Sequence, residues 1–292
     1  MFKFKFFIIF IIKIMNDIDA IVFDMDGVIR IGNTLIDGSI ELFERLAKNK
    51  IKTMIVTNEC RYTVDELRED LSDSGLHLSP DIKIYTAGLS ARDYLSEKIA
   101  RFPENQFHIG IIGESGLYQT INSLSVYSNC VVNNELHENN NKKLYLVIGA
   151  VNRIKITHLD MILNWIKLGA RIIITCPDTS DPSSKGDFNL GMPNHMLHMT
   201  GFNIKTNSYS TGKPHPLFCR KIMNELNITD PSKILFVGDT MYTDIRLAEE
   251  SGFKSCLVLS GNTKVEALST YTIDPDYVVD DITELEKIIR FK

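Results

Sequence analysis

Ala20-Ile21-Val22-Phe23-Asp24-Met25-Asp26-Gly27 is the stretch on which the reading of this chain turns. Four apolar residues, rich in β-branched side chains and without polar alternation, describe a strand buried on both faces, the habit of a parallel sheet in an α/β protein. Ligands of open α/β sheets bind outside the carboxyl ends of the strands, which is where Asp24 falls. On an extended backbone Asp24 and Asp26 point to the same side, and Gly27 frees the chain to turn sharply behind them. Two carboxylates so placed repel each other unless a cation or a shared proton intervenes. A hard cation such as Mg²⁺ suits these oxygens, and a carboxylate beside it can serve as a nucleophile toward a phosphoryl group. The string alone also fits a surface turn rich in Asp and Gly. An EF-hand is excluded, because that loop needs Gly at its sixth position and Glu at its twelfth, whereas Gly27 stands fourth from Asp24.

Composition bounds the rest. A chain of 292 residues with 44% hydrophobic residues can build one large or two ordinary globular domains. With 32 Lys and Arg against 37 Asp and Glu, the net charge of −5 offers no basic excess to attract nucleic acid. The five cysteines, Cys60, Cys130, Cys176, Cys219 and Cys256, include no close pair, which fits reduced thiols in the cytoplasm better than disulfides or a zinc site. The first fifteen residues stand apart in composition. Their basic ends and apolar middle resemble a signal peptide, but no small-residue cleavage site follows and the run is too short to span a bilayer as a helix. The expectation is a functional start at Met15 or a poorly packed appendage, with no stable membrane association.

Downstream, apolar strands alternate with amphipathic helices. Asp37–Lys48 has the spacing of a crossover helix, and Ile51–Thr57 reads as a strand that ends in Thr57 and Asn58. Hydroxyl and amide groups at a strand end can bind phosphate oxygens or simply cap the strand. Helix Tyr62–Ser74, strand Ile82–Thr86 and helix Ala87–Ile99 come next. The pattern then restarts with a strand at His108–Gly113, whose glycines read as turn chemistry. Strands at Leu144–Gly149 and Arg171–Thr175 flank a helix at Ile156–Leu168, giving a second α/β unit inserted before the first has finished. The loop from Pro177 to Pro193 is long and polar, and His195 and His198 behind it lack a third metal ligand. The first pattern returns with Lys213 before a helix over 216–226, where backbone N–H groups favour an anion. A strand at Ser232–Gly238 ends in Asp239, and Asp244 opens the helix that runs to Gly252. The remaining segments read as strand Lys254–Leu259, a helix near Lys264–Leu268, strand Tyr277–Val279 and helix Ile282–Ile289. This order predicts an α/β protein whose core domain spans 17–86 and 207–292, interrupted by an α/β domain at 87–206, with 1–16 outside both.

Four motifs in order, Asp24-Met25-Asp26-Gly27, Thr57-Asn58, Lys213 in Gly-Lys-Pro, and Gly238-Asp239 with Asp244, resemble those of the haloacid dehalogenase-like phosphohydrolases. The branch that the chain looks like is that of the p-nitrophenylphosphatases and phosphoglycolate phosphatases, which carry their larger cap between the second and third motifs. Thr175-Cys176-Pro177-Asp178 resembles that branch's Thr-Asn-Pro-Asp, and Pro275-Asp276-Tyr277-Val278 its closing strand. The resemblance implies a Rossmann-like parallel-sheet core with an inserted α/β cap, and a cytoplasmic phosphoric monoester hydrolase acting on a small phosphorylated metabolite. It implies that Asp24 attacks phosphorus to form an aspartyl phosphate, and that Asp26 protonates the leaving oxygen and later takes a proton from water. Mg²⁺ would be bound by Asp24, the backbone carbonyl of Asp26 and Asp239, with Asp244 in support. Thr57, Asn58, Glu59 and Lys213 would line the phosphate pocket. The family's cap often mediates dimers, which makes a homodimer an expectation too.

Glu59 departs from the branch, which usually reads Thr-Asn-Asn at the second motif. A carboxylate there weakens phosphate binding unless it points away or pairs with a cation such as Arg61. That departure is what keeps a rival reading in play: a catalytically weak ligand-binding or scaffold protein that retains the fold. A response-regulator receiver, which also uses an acidic pocket, is a single small domain without room for the insert.

Overall fold

The computed structural model describes residues 18–136, 142–178, 192–201 and 208–288. The apolar segment 1–16, most of the loop from Pro177 to Pro193 and residues 137–141, within the Asn-rich loop expected over Asn133–Lys143, lie outside the described residues.

Strand β1 (Ala20–Phe23) leads through a turn into a hairpin of β2 (Arg30–Ile31) and β3 (Thr34–Leu35). Helix α1 (Ser39–Lys48), strand β4 (Lys52–Thr57), helix α2 (Val64–Asp73) and strand β5 (Lys83–Thr86) follow. Next come α3 (Ala87–Arg101), β6 (Gln106–Ile112), α4 (Ser115–Asn122), β7 (Cys130–Val132) and β8 (Lys142–Ile148). Then α5 (Ile156–Lys167), β9 (Arg171–Ile174), α6 (Pro193–Met199), β10 (Ser208–Ser210) and α7 (Pro216–Leu226). After β11 (Ile234–Gly238) a π-helical turn at Met241–Ile245 enters α8 (Arg246–Ser251), followed by β12 (Lys254–Val258), β13 (Tyr277–Val279) and α9 (Leu285–Ile288).

These elements form two compact units. One runs to Val56, adds Arg68–Ile84 and resumes at Cys219; the other holds Thr57–Leu67 and Tyr85–Phe218. A six-stranded sheet in the order β13-β12-β11-β1-β4-β5 underlies the first, and the pairs β1 with β11, β1 with β4, β11 with β12 and β12 with β13 are parallel. All four residues of β1 and all five of β11 are buried, as continuous apolar runs demand of strands covered on both faces. The strand order reverses between β1 and β11, since the chain moves outward from β1 to β4 and β5 and later returns to β11 on the other side. A crevice for a ligand opens at such a switch point, beyond the carboxyl ends of those two strands.

The second unit has its own parallel sheet, ordered β10-β9-β8-β6-β7. One of its cores forms around Trp165 on α5, which is fully buried among Ile112, Leu146, Ile148 and Ile162. Gly110 makes room for it: a Cβ at that position would stand 2.4 Å from the Trp165 ring. Gly110 lies inside β6 and not in a turn, so the turn reading of that glycine is corrected by packing.

The α/β fold with a parallel-sheet core, predicted from the alternation of apolar strands and helices, is what the chain adopts. Four short strands escaped prediction: β2 and β3 of the hairpin, β7 and β10. Each has two or three residues, too few for an alternation to register. The helix expected near Lys264–Leu268 is a 3₁₀ stretch at Val265–Thr270, and the last predicted helix begins as a 3₁₀ turn at Ile282–Glu284. Among the described residues no helix is long and apolar enough to cross a membrane.

Filling the space that Gly110 leaves forces Trp165 or β6 to move. Gly110→Ala is expected to lower the unfolding free energy by about 1–3 kcal/mol, read from urea titration by tryptophan fluorescence. An unchanged midpoint would show that the indole has room to yield.

Candidate active site

The end of β1 positions the first acid. Asp24 N–H donates to the carbonyl of Val237 at 2.8 Å, continuing the β1–β11 ladder in which Phe23 faces Val237. That register brings Asp24 and Asp239 to the two sides of the switch point. Asp239 is 1% exposed and tightly framed. Its Oδ1 accepts the Thr240 hydroxyl at 2.7 Å and its Oδ2 the Asn262 N–H at 2.6 Å. Gly27, at φ 84°, and Gly261 close over it, and a Cβ on either would come within 2.3 Å and 1.9 Å of Asp239 Oδ2. Glycine is required at both positions by this approach, and at Gly27 by the positive φ of the turn as well.

Asp244 completes the group from the π-helical turn. Its Oδ2 accepts the N–H groups of Asp239 and Thr240, both at 3.1 Å, so it fixes the backbone that carries Asp239. Gly238 permits this, because a Cβ there would lie 2.2 Å from that of Asp244. Oxygens of Asp24, Asp239 and Asp244 lie within 4.8 Å of one another, all three residues being buried. Three carboxylates so close, out of water, are strongly unfavourable without a counter-charge. An all-oxygen set of hard donors with this concentration of charge fits Mg²⁺. Among the described residues this is the one group of three acids, histidines or cysteines arranged for a metal, and His195 and His198 on α6 belong to none.

Asp26 makes a different set of contacts. Gly27 N–H donates to the carbonyl of Arg30 at 2.7 Å, which folds the chain back so that Asp26 and Arg30 form an isolated bridge. Arg30 Nε then donates to Asp26 Oδ1 at 3.0 Å, while Arg30 Nη1 pairs with Asp70 on α2. The Arg30 side chain is 7% exposed, that of Asp26 25%. Sequence reasoning missed Arg30 and Asp70. A lone Arg in the apolar run Val28-Ile29-Arg30-Ile31, four residues after an acid, was the available signal.

The second unit holds the remaining residues singled out by sequence. Thr57 ends β4 and is buried; its Oγ1 accepts the Glu59 N–H at 3.0 Å. Asn58 spans two partners, its Oδ1 accepting the Lys213 N–H at 2.8 Å and its Nδ2 donating to Asp178 at 2.7 Å. Lys213 precedes α7 by three residues and is 1% exposed, which places an ammonium where only a strong anionic environment is tolerated. Gly212 beside it packs against the Thr175 carbonyl, where a Cβ would lie at 2.3 Å.

The Glu59 carboxylate is met by a cation. Arg61 grips it with Nε at 3.0 Å from both carboxylate oxygens and Nη2 at 2.5 Å from Oε2. Oε1 also accepts the N–H groups of Cys60, at 2.8 Å, and Arg61, at 2.6 Å. Of the two ways out that the sequence left open, pairing with Arg61 is the one taken. Cys60 ties this turn to the second sheet, its Sγ accepting the Ala150 N–H and the Thr175 hydroxyl, both at 3.3 Å. Burial, reinforced by the Glu59 carboxylate, pushes the Cys60 thiol up to about 11.

Two family descriptions match the chain: "Haloacid dehalogenase-like hydrolase" over residues 21–127 and "HAD-hyrolase-like" over 210–285. The chain belongs to the haloacid dehalogenase-like hydrolases. Acid sugar phosphatase of Staphylococcus aureus is 27% identical over 94% of this chain and 100% of its own length. Dihydroxyacetone phosphatase of Corynebacterium glutamicum is 25% identical over 90% of this chain and 88% of its own. The solved structure of p-nitrophenyl phosphatase from Archaeoglobus fulgidus is 26% identical and superposes with a TM-score of 0.72, covering 92% of this chain and 98% of that one.

Two outcomes follow from the Thr57–Arg61 turn. Glu59→Gln removes the charge that Arg61 grips and is expected to lower the unfolding free energy by about 2 kcal/mol in urea titration; an unchanged midpoint would show the ion pair to be energetically idle. The Cys60 thiol rises from 9.0 unfolded to about 11 folded, so its contribution is complete below pH 9 and is lost as pH climbs through 11. Between those limits Cys60→Ser should make the fall in stability shallower by about 1.4 kcal/mol per pH unit, and parallel curves for the two proteins would contradict this.

Proposed function

We propose that the chain is a Mg²⁺-dependent phosphatase that hydrolyses a small phosphorylated metabolite through an aspartyl phosphate on Asp24. The observation that carries the reading is the group of buried carboxylates, Asp24, Asp239 and Asp244, at the ends of β1 and β11. The phosphatase relatives, matched over most of their length, support it. Asp24, the backbone carbonyl of Asp26 and Asp239 would hold the Mg²⁺, with Asp244 keeping the Asp239 backbone in place. When bound, the ion offsets negative charge on the phosphoryl oxygens and the carboxylates.

In this reading an Asp24 oxygen forms a bond to phosphorus as the ester P–O bond breaks, and Asp26 gives its proton to the departing oxygen. Asp26, now a carboxylate, takes a proton from water, whose oxygen displaces Asp24 and releases inorganic phosphate. Thr57 and Lys213 hold the phosphoryl oxygens. The Thr57 hydroxyl accepts from Glu59 N–H, which leaves its proton to be donated outward. Asn58 fixes the Lys213 backbone, and Glu59 contributes to the pocket through the turn it braces. The Glu59–Arg61 pair also removes the charge conflict that favoured a catalytically weak binding protein.

The substrate class follows the relatives' names, a triose or sugar phosphate, and the setting proposed is the cytoplasm. The inserted unit, 87–206 by sequence, is the proposed cap over the leaving group and the proposed dimer contact. Phosphate release should be measured with p-nitrophenyl phosphate, dihydroxyacetone phosphate, glycerol 3-phosphate and hexose 6-phosphates, with and without Mg²⁺. Turnover that needs Mg²⁺ and falls about 10³-fold or more in Asp24→Asn is expected. A wild type that releases no phosphate from any of these esters would overturn the proposal.

A further inference from the structure

Asp26 is held by a neighbour whose role the reading above leaves open. Arg30 stands four residues on, enclosed to 7% exposure, with Nε 3.0 Å from Asp26 Oδ1 and Nη1 on Asp70. Its backbone is fixed by the Gly27 N–H to Arg30 carbonyl bond at 2.7 Å and by its own N–H, which donates to the Met25 carbonyl at 3.2 Å. The guanidinium is therefore a rigid plane anchored at both ends, while Asp26 itself lies in a partly open position with a side chain 25% exposed. A short carboxylic acid in such a place would otherwise sample several torsions. Clamping Oδ1 removes that freedom.

Resting on the phosphatase reading, we infer that Arg30 is a positioning residue for the proton-transferring Asp26, and that Asp70 anchors Arg30. As the ester P–O bond breaks and the bond from Asp24 to phosphorus forms, the proton leaves the Asp26 carboxyl for the ester oxygen. The electron pair of the broken bond becomes the new O–H bond. The transfer needs the carboxyl within hydrogen-bond reach of that oxygen, and small misplacement is costly. The demand depends on the leaving group. An alkoxide cannot depart without the proton, whereas p-nitrophenolate is stable enough to leave with little help. Arg30 thus serves the hydrolysis of alkyl esters, the class to which sugar and triose phosphates belong, far more than that of an activated aryl ester.

The test compares kcat on p-nitrophenyl phosphate with kcat on the fastest alkyl ester of the panel above, for wild type, Arg30→Gln, Arg30→Lys and Asp70→Asn. The ratio of the two is independent of how much of each preparation is folded. Arg30→Gln is expected to lower the alkyl-to-aryl ratio about 10-fold or more, with Arg30→Lys restoring part of it and Asp70→Asn moving it the same way by less. Equal losses on both esters, or none, would overturn the inference while leaving the phosphatase reading intact. A wild type active on the aryl ester alone would also overturn it, because Asp26 would then have no acid function to position. A wild type inactive on both would overturn the phosphatase reading itself.

Discussion

Everything at the end of the first sheet is arranged around the repulsion among three buried carboxylates. Asp24, Asp239 and Asp244 come within 4.8 Å of one another in a region where water cannot screen them. Folding such a group costs stability, and hydrophobic burial of the strands beneath offsets the cost locally: every residue of β1 and β11 is buried. The backbone then solves part of the problem. Asp244 accepts two N–H groups, and Asp239 accepts an N–H and a hydroxyl, so four donors meet two of the acids. The proposed Mg²⁺ would meet charge of this kind, and a site so arranged would suit the anionic phosphate of the proposed reaction.

Much of this could be read from the sequence because the site is local in sequence terms. Asp24 follows the strand that Ala20–Phe23 announces, and Asp239 follows Ile234–Gly238 in the same way, so a strand pattern plus a terminal acid sufficed. The elements that could not be read are the short ones and those whose logic is tertiary. Gly110 is a glycine because of Trp165, fifty-five residues away in the chain, and no local rule points to that. The 3₁₀ stretch at Val265–Thr270 carries apolar residues at intervals that suit either helix type, so the spacing alone does not choose between them.

Glu59 shows the limit from the other direction. Sequence could state the conflict, a carboxylate beside a phosphate pocket, and could name Arg61 as one remedy. It could not choose, because i and i+2 side chains meet only where the backbone turns. The turn does exist here, and the carboxylate that sequence set against phosphate binding is spent on two backbone N–H groups and a guanidinium. A departure from a family pattern is thus weak evidence of lost activity until its partners are known. The substitution and its compensation lie two residues apart.

Arg30 extends the same lesson to a residue that no motif contains. It lies between the second acid of the first motif and the body of the unit, and its contacts run from Asp26 to Asp70 on α2. Where a reaction depends on the placement of one proton, the residues that place the donor are as consequential as the donor. Motifs preserve what every member of a family must do to phosphorus. In the proposed mechanism a side chain such as Arg30, set against those motifs, adjusts how firmly a catalytic group is held, and that is a property only the folded chain displays.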